Sequence, residues 1–294
     1  MALRSWLFVP GDSETKLAKA PGVGADAIIV DLEDAVSPEA KPRARELAAG
    51  WLKAHRPQVT AERSFARWVR INALDTRLWR DDLLAVLPGA PDGIMLPKAA
   101  GPEDVQQLTA ELYEQEQRSG IAPGSTRILP LVSETAAAAL TIAAYVPASL
   151  PRLAGLTWGA EDLSAALGAL RKRDADGNWT DTFRMVRAQT LLAAHAKGVM
   201  AIDTLHADFA DMAGLQRVAE ASRADGFTGM LAIHPTQVAV INAAFTASEA
   251  ELDAARAIVA AFAESPGAGA LQIDRRMIDR PHLAAAQRLL GLAE

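Results

Sequence analysis

The sequence predicts a closed (β/α)₈ barrel followed by a C-terminal helical extension. Short apolar segments alternate with longer amphipathic stretches, which is the pattern of parallel strands joined by helical crossovers. Eight such units within roughly 250 residues match a barrel. An open doubly wound sheet is the alternative, but it usually carries a glycine-rich nucleotide turn after its first strand. Here the first strand runs into Pro10-Gly11-Asp12-Ser13, which is not that turn.

The predicted elements follow one another as strand and helix along residues 1–245, which we assign to the barrel. Apolar residues dominate each strand segment, as expected for strands buried on both faces. Helical periodicity is clearest over Pro38–Ala54, Glu103–Gln117, Ala136–Tyr145 and Thr182–Ala196. The eight predicted strands are Trp6–Val9, Ala27–Asp31, Trp68–Asn72, Gly93–Pro97, Ile128–Val132, Gly155–Trp158, Val199–Ile202 and Met230–Ile233.

Residues 246–294 are predicted to form the helical extension. Ser248 is placed to cap a helix that runs to Ala263, and Glu251 completes a capping box. A flexible connection over Ser265–Ala270 and a last helix beginning at Pro281 follow. Because a barrel does not need this segment, we expect it to serve as a lid or an oligomer contact.

Composition excludes several classes of protein. Half of the 294 residues are apolar, which supports a sizeable core, and the formal net charge of −6 without a basic stripe argues against a nucleic-acid binder. The absence of cysteine excludes disulfides and thiolate metal sites. The apolar segment near the N-terminus is too short for a secretory signal, and the alanine-rich stretch over 136–146 is too short to span a bilayer. We therefore expect a soluble, cytoplasmic protein that binds neither nucleic acid nor membranes.

Two carboxylates at neighbouring strand ends point to a metal site. Glu134 follows the fifth predicted strand and Asp162 follows the sixth. One or two carboxylates, with water and substrate oxygens, are the usual ligands of Mg²⁺ in enzymes. The alternative is that Ser133 and Asp162 only cap the helices that follow. Buried charges are costly unless they pair or bind a metal, and this favours the metal site.

Arg70 lies at the end of the third predicted strand. Since side chains alternate along a strand, Arg70 and Asn72 are expected to face the barrel interior and Ile71 the surrounding helices. An inward arginine needs an anion, which a substrate carboxylate would supply. A structural ion pair with an acid such as Glu33 is the alternative, and both can hold.

Charged residues at two further strand ends complete the candidate site. In Asp31-Leu32-Glu33-Asp34, the repulsion among three acids predicts that Glu33 and Asp34 surround the metal and the arginine, although a solvated loop is an equal alternative. Lys98 is either a Schiff-base nucleophile or a fixed charge that pairs with these acids. We favour the fixed charge, because a metal would already stabilise an enolate.

The sequence evidence for a functional role is weaker for the basic residues outside these loops. Lys16 and Lys19, near the start of the first helix, are candidates for attracting phosphates at the barrel mouth, although exposed lysines usually do nothing specific. His234, at the end of the eighth strand, is either a general base or a residue that rigidifies its loop.

With these residues in hand, the chain resembles the citrate lyase β-subunit-like family of the HpcH/HpaI aldolase superfamily. The motifs that carry the resemblance occur in order along almost the whole chain. They are Arg4–Gly11, Gly24–Asp26, Asp31–Val36, Lys41 with Ala44-Arg45, Val69–Asn72, Met95–Lys98, Gly159–Leu163, Ala232–Pro235 and Met277–Asp279.

The resemblance implies a TIM barrel, usually trimeric or hexameric. It implies Mg²⁺ held by Glu134 and Asp162 and a keto-acid carboxylate held by Arg70. Asp279 matches an acid that, in lyases of this family, reaches the active site of the adjacent subunit. The main departure is Ser133, because the family commonly has an isoleucine directly before the glutamate.

The function expected from the resemblance is reversible carbon–carbon cleavage of a carboxylated 3-hydroxyacyl-CoA, such as citryl-CoA or malyl-CoA, to an acyl-CoA and a keto acid. The alternatives are a pyruvate-type aldolase on free keto acids, a malyl-CoA thioesterase, and a citrate lyase β-subunit that needs α and carrier subunits. The cofactor implied is Mg²⁺, with CoA entering as part of the substrate.

Overall fold

The computed structural model describes residues 3–56 and 65–292 and confirms the predicted barrel. Eight parallel strands form one sheet in the order β5-β4-β3-β2-β1-β8-β7-β6. The strands are β1 (Ser5–Pro10), β2 (Ala27–Asp31), β3 (Ala66–Arg70), β4 (Gly93–Leu96), β5 (Arg127–Pro130), β6 (Gly155–Thr157), β7 (Met200–Asp203) and β8 (Gly229–Ala232).

Backbone hydrogen bonds between β5 and β6 close the barrel. The Ile128 N–H donates to the Arg152 carbonyl at 2.8 Å, and the Ala154 N–H donates to the Ile128 carbonyl at the same distance. Further along, the Val132 N–H donates to the Thr157 carbonyl at 3.0 Å. The sheet therefore has no free edge, and all strand carboxyl ends lie at one rim.

Helices surround the strands at the predicted places. The α-helices of this unit are α1 (Glu14–Lys19), α2 (Lys41–Ala54), α3 (Trp79–Val86), α4 (Pro102–Arg118), α5 (Ala136–Thr141), α6 (Ala160–Leu167), α7 (Asp181–Lys197), α8 (Met212–Asp225) and α9 (Pro235–Ala244). Short 3₁₀ turns flank α2 and α5. Among the described residues, no helix is both long enough and apolar enough to cross a membrane.

Apolar side chains of the strands point alternately into the barrel interior and towards the surrounding helices, and they form two separate cores. The interior core fills the barrel around Trp6 and Trp68, whose rings meet edge to face at 5.0 Å. Gly93 makes room for this pair, because a Cβ there would lie 2.2 Å from the Trp68 ring. The outer core lies between strands and helices and includes Ile71, as the alternation predicted.

The third strand ends two residues earlier than predicted. Asp82 of α3 accepts hydrogen bonds from the backbone N–H of Asn72 at 2.8 Å and from its side-chain amide at 2.7 Å. The amide also donates to the Leu32 carbonyl at 3.0 Å. Asn72 is therefore held against α3 and Leu32, and the prediction that it faces the interior with Arg70 is wrong.

The chain divides into two compact units, residues 1–245 and 246–294. The second contains α10 (Glu249–Glu264), the antiparallel strands β9 (Ala270–Ile273) and β10 (Arg276–Asp279), and α11 (Arg280–Leu289). The predicted capping box is present, since Ser248 caps α10 and Glu251 returns a hydrogen bond to its N–H at 2.7 Å.

A hairpin that was not predicted lies between the predicted connection and the last helix, and it includes only Ala270 of that connection. Its turn residues Asp274 and Arg275 have φ values of 47° and 65°. Two-residue hairpin turns of type I′ need positive φ at both positions, and they are usually recognised by Asn-Gly or Asp-Gly. Asp-Arg lacks that signal, which is why the sequence did not predict the strands.

Candidate active site

Three of the predicted site residues lie together at the carboxyl rim of the barrel. A cavity of about 200 Å³ opens there between the strand ends. Arg70, Glu134 and Asp162 all line it. The other lining residues are Phe8, Pro10, Asp31, Ala35, Leu131, Gly159, Ala160, Glu161, Thr204, Leu205, Leu231 and Ile233.

Glu134 is a buried carboxylate that extends from β5 into this cavity. It is 3% exposed, and it accepts a hydrogen bond from the backbone N–H of Lys98. Burial raises its pKa to about 8, and the negative charges of Asp162 and Glu33 add to that effect. A buried carboxyl group with this pKa takes up either a proton or a cation at neutral pH.

The residues next to Glu134 bring Asp162 to the same place. Gly159 caps α6, whose first turn contains Asp162. A Cβ on Gly159 would lie 3.1 Å from the Cγ of Glu134, so the glycine allows the two loops to approach. The Ser133 hydroxyl accepts a hydrogen bond from the Gly159 N–H at 3.2 Å. The serine that departs from the family pattern therefore connects the loops after β5 and β6.

Arg70 is held in a fixed orientation at the end of β3. Its Nε and Nη2 donate to both oxygens of Asp31 at 2.8 and 2.7 Å, and its Nη1 forms an ion pair with Glu33 Oε2 at 3.1 Å. The guanidinium carbon lies 4.8 Å from the centre of the Phe8 ring. Burial opposes the charge of Arg70, but Asp31 and Glu33 raise its pKa overall. The Glu33 pair was predicted as the alternative; Asp31, the stronger partner, was not singled out.

Lys98 pairs with the acids after β2. Its Nζ donates to Glu33 Oε1 and lies 3.4 Å from Asp34. Burial opposes the charge, but the hydrogen bond and charge of Glu33 raise the lysine pKa overall. A raised pKa disfavours the neutral amine that Schiff-base chemistry requires. The geometry thus supports the fixed charge over the nucleophile. Lys98 also has a φ of 51°, and its own N–H donates to Glu134.

The site fits a hard divalent cation. Among the described residues, no three His, Asp or Glu side chains surround a common point. The two carboxylates Glu134 and Asp162 nevertheless suffice for Mg²⁺, which keeps waters and substrate oxygens as its other ligands. Burial also raises the pKa of Glu33, beyond what Arg70 and Lys98 offset. Burial and neighbouring acids thus both disfavour the bare carboxylates, and a bound cation would relieve this cost.

A second cavity adjoins the first on the β1 side. It encloses about 360 Å³ and shares Phe8, Pro10 and Ile233 with the smaller one. Lys16 and Lys19 line it. They are therefore next to the candidate site and outside it.

His234 lies at the wall of this second cavity and caps α9. Its Nδ1 accepts from the Thr236 N–H at 3.3 Å, and its ring stacks on Phe209 at 5.1 Å. These contacts support the interpretation that it rigidifies its loop.

A larger groove lies outside the barrel and contains none of the predicted site residues. It encloses about 530 Å³ beside α7 and α8. Arg187, which lines it, already pairs with Asp203 and Asp225 at 2.9 and 2.7 Å. We therefore place the site in the smaller cavity at the barrel rim, where the buried carboxyl group of Glu134 has a raised pKa.

Asp279 belongs to the C-terminal unit, where it caps α11. Its Oδ1 lies 2.5 Å from His282 Nδ1, which donates a hydrogen bond to it when that nitrogen carries a proton. The hydrogen bond from His282 lowers its pKa. Asp279 is therefore an ionised carboxylate with a histidine partner, which the sequence reasoning did not identify.

The chain is similar to known proteins over almost its whole length. The model of the HpcH/HpaI aldolase/citrate lyase family matches residues 4–235. A (3S)-malyl-CoA thioesterase from Cereibacter sphaeroides is 35% identical, with 99% of this chain and 94% of the relative covered. The mitochondrial citramalyl-CoA lyase of Rattus norvegicus is 33% identical, with 99% and 86% covered. CitE from Mycobacterium tuberculosis, in complex with magnesium, acetoacetate and coenzyme A, superposes with a TM-score of 0.78 at 36% identity, with 99% and 98% covered.

Proposed function

The chain belongs to the HpcH/HpaI aldolase/citrate lyase family, and from this premise we propose that it is a Mg²⁺-dependent carbon–carbon lyase of CoA thioesters. Its substrate would be a carboxylated 3-hydroxyacyl-CoA, cleaved reversibly to an acyl-CoA and a keto acid. The observation that carries the proposal is the pair of carboxylates Glu134 and Asp162 beside Arg70 in one cavity. The excess negative charge there suits a cation that also binds a substrate anion.

In the proposed cleavage, a base removes the proton of the substrate hydroxyl group and the bond to the thioester α-carbon breaks. The products are a keto acid and the enolate of the acyl-CoA, which then takes a proton at carbon. Held by Glu134 and Asp162, Mg²⁺ would supply Lewis-acid stabilisation of oxygen charge. Arg70 would use the N–H groups that Asp31 and Glu33 leave free to hold the substrate carboxylate.

The surrounding charges would keep these groups in place. Glu33 and Asp34 hold Lys98, whose N–H in turn orients Glu134. Asp31 and the Phe8 ring fix the plane of the Arg70 guanidinium. Pre-organised groups of this kind need little rearrangement when charge develops in the transition state.

We assign the remaining roles to residues around the cavity. Lys16 and Lys19 would bind the CoA phosphates, because their cavity adjoins the site. Asp279 would exchange the proton at the acyl-CoA α-carbon, with the C-terminal unit acting as a lid from an adjacent subunit of a trimer or hexamer. A closing lid would exclude water from this step.

Thioester hydrolysis is the second candidate function, because a (3S)-malyl-CoA thioesterase is 35% identical over 99% of this chain. In that reaction water attacks the thioester carbonyl and free CoA leaves. The same metal and arginine would hold the substrate carboxylate, so product analysis is needed to separate the two functions.

The test is a product analysis with purified protein and Mg²⁺. The panel contains malyl-CoA, citramalyl-CoA, citryl-CoA, free citrate and a 4-hydroxy-2-keto acid, with an E134Q variant as the inactive control. An acyl-CoA with a keto acid supports the lyase, whereas free CoA with intact hydroxy acid supports the thioesterase. Turnover of the free acids alone would reassign the protein as an aldolase. Turnover that appears only after citrate lyase α and carrier subunits are added would identify a partner-dependent subunit.

The role of Asp279 is tested separately. An Asp279→Ala variant should lose roughly 100-fold in turnover, as expected for removal of a general acid–base group. Its Mg²⁺ affinity, measured by calorimetry, should change less than twofold. Asp253→Ala is the control, because Asp253 is an exposed acid of the same unit. Equal losses of turnover and metal affinity in the Asp279 variant would refute the assignment.

A further inference from the structure

The two helices of the C-terminal unit begin with residue pairs of different chemistry. At the start of α10, Ser248 caps the helix and Glu251 stands three residues on. At the start of α11, Asp279 caps the helix and His282 stands where a capping box has its glutamate. A glutamate in the first turn suits the positive end of the helix dipole, whereas a histidine there is disfavoured whenever it is protonated. Helix stability therefore accounts for Glu251 and does not account for His282.

The contact between Asp279 and His282 is direct and open to solvent. Oδ1 of Asp279 lies 2.5 Å from Nδ1 of His282. Since an ionised carboxylate can only accept hydrogen bonds, the ring nitrogen carries the proton in this contact. The two side chains are 34% and 52% exposed. The carboxylate is therefore held by the ring and is still accessible to a reactant.

Asp279 is the one acid that pairs with His282 in the described part of the chain. The elements that pack most against α11 are α10 and β10. The other charged residues of these three elements are Glu249, Glu251, Asp253, Arg256, Glu264, Arg276, Arg280 and Arg288. Of the bases, Arg256 is paired with Asp253 at 2.6 Å, and the Arg280 guanidinium lies 5.6 Å from the centre of the Phe262 ring. A change in the charge of His282 therefore acts first on the Asp279 carboxylate.

A side chain that takes a proton from carbon must be held in place and must be ionised. An exposed aspartate samples several rotamers, and a hydrogen bond to one oxygen removes part of that freedom. The bond from His282 also lowers the pKa of Asp279, which keeps the carboxylate ionised at neutral pH. A histidine changes charge between about pH 5 and 8, and an imidazolium binds a carboxylate more strongly than a neutral ring does. The basicity of Asp279 should thus depend on the charge of His282.

We propose that His282 is the positioning residue for Asp279. Its Nδ1–H holds the carboxylate towards the α-carbon of the acyl-CoA, and its charge sets how strong a base the carboxylate is. This inference rests on the proposed lyase function and on the role of Asp279 within it.

The proton transfer that His282 would support is written here for the synthetic direction. The bond between the α-carbon and its hydrogen breaks, the proton passes to the Asp279 carboxylate, and the electron pair remains in the enolate. The enolate then bonds to the keto carbon, whose oxygen takes up a proton to become the hydroxyl group, and Asp279 releases its proton to solvent. His282 keeps its Nδ1 proton throughout, so no further reactant is needed.

The first experiment measures synthesis by the full-length, Mg²⁺-saturated enzyme from acetyl-CoA with glyoxylate, pyruvate or oxaloacetate. His282→Leu removes the donor and should lower kcat about tenfold, with a change of less than about twofold in the KM for acetyl-CoA. His282→Asn keeps an N–H donor close to the place of Nδ1 and should retain at least about a third of the parent kcat near pH 8. A kcat equal to that of the parent in His282→Leu would overturn the proposal.

The pH dependence separates positioning from a purely structural role. Between about pH 8 and about pH 5.5, protonation of His282 weakens the base, so the parent kcat should fall by about threefold or more. His282→Asn does not titrate there, and its kcat should stay nearly constant. Mg²⁺ is kept saturating at each pH, because its binding depends on Glu134. The same decline in both proteins would show that another group controls the rate and would contradict the proposal.

Ser248→Ala is the matched control, because it removes the cap of the other helix in the same unit. It should destabilise the unit and leave kcat and its pH dependence unchanged. Thermal unfolding of all the variants establishes that they are folded. If Ser248→Ala lowers kcat as much as His282→Leu does, a general disturbance of the unit explains the loss and the proposal fails.

Exchange of the acetyl-CoA methyl hydrogens with D₂O, followed by NMR, separates this inference from the proposed function. If the parent exchanges them without forming a carbon–carbon bond, and His282→Leu slows the exchange about tenfold, the lyase function fails and the role of His282 stands. If product forms and the His282 variants behave as the parent does, the lyase function stands and this role is refuted. Neither product nor exchange in the parent would refute both.

Discussion

The two ends of the barrel contain similar charged residues in opposite electrostatic states. At the amino end, Glu116 accepts two hydrogen bonds from Arg152, both at 2.7 Å, and two from the backbone N–H groups of Gly124 and Thr126. Burial alone would raise its pKa, but these donors lower it overall. At the carboxyl end, burial raises the pKa of Glu134 to about 8, and the Lys98 N–H does not offset it.

The difference shows how one fold separates stability from function. Glu116 at the amino end has a matched arginine in Arg152, and the pair Arg4–Asp26, with a 2.8 Å contact, repeats the pattern. The carboxyl end instead gathers more acids than bases around a cavity. At the amino end, ion pairs compensate the buried charges and stabilise the barrel. At the carboxyl end, the acids lack enough basic partners, which leaves a site where a cation can bind.

The largest expected effect is on the carboxyl end. Glu134→Gln should reduce metal-dependent activity by about 1,000-fold or more, because a metal ligand is lost while the side-chain volume is retained. Near neutral pH the Tm of the metal-free protein should stay about the same, because a buried glutamate with a pKa of about 8 is already mostly protonated there. Activity assays and calorimetric melting measure the two effects. Full activity in this variant would eliminate the metal site.

The next largest expected effect concerns the amino end of the barrel. A substitution there should lower the stability of the fold and leave metal binding unchanged. Arg152→Met leaves Glu116 buried without its cation, which should lower the free energy of unfolding by about 3–5 kcal/mol. Mg²⁺ affinity of the folded protein should not change. The control is Arg118→Met, which removes an exposed pair with Glu114 on the same helix and should cost less than about 0.5 kcal/mol. Equal losses of unfolding free energy in Arg152→Met and Arg118→Met would contradict the stabilising role assigned to the buried pair.

The two ends should also respond oppositely to pH. Because the folded pKa of Glu116 is lowered, its contribution to stability is present above the unfolded value and is lost as the pH falls through the folded pKa. Because the folded pKa of Glu134 is raised to about 8, the metal-free protein should instead lose stability as the pH rises from the unfolded value through 8.

The pH dependence that arises from Glu134 can be measured through metal binding. Mg²⁺ replaces the proton of Glu134, so its apparent affinity should rise with pH by up to about tenfold per unit and level off above pH 8. Calorimetry in buffers of different ionisation enthalpy would count the released protons. A pH-independent affinity would show that Glu134 is already ionised in the metal-free protein.

The smallest effect concerns the connection between the metal loops. Ser133→Ala removes the acceptor for the Gly159 N–H, a neutral hydrogen bond worth about 1 kcal/mol, and should weaken Mg²⁺ binding about fivefold. Thr135→Ala is the matched control, because it removes the similar bond that caps α5. That variant should lose about 1 kcal/mol of stability with unchanged metal affinity. Identical behaviour of the two variants would leave Ser133 without a role in positioning the site.

The amino-acid sequence determined the features that depend on local patterns. Alternation of strand and helix predicted the barrel, and the position of each acid after an apolar segment placed Glu134 and Asp162 at strand ends. The Ser248 capping box was correct because its two hydrogen bonds join residues three apart.

Only the tertiary structure decided which groups meet across the barrel. Asp31 became the main partner of Arg70 because β2 and β3 pair in the register Asp31–Arg70, and Asn72 was drawn away from the interior by Asp82 of α3. Hydrogen bonds and burial between residues distant in sequence follow from strand register and barrel closure, which a local pattern does not encode.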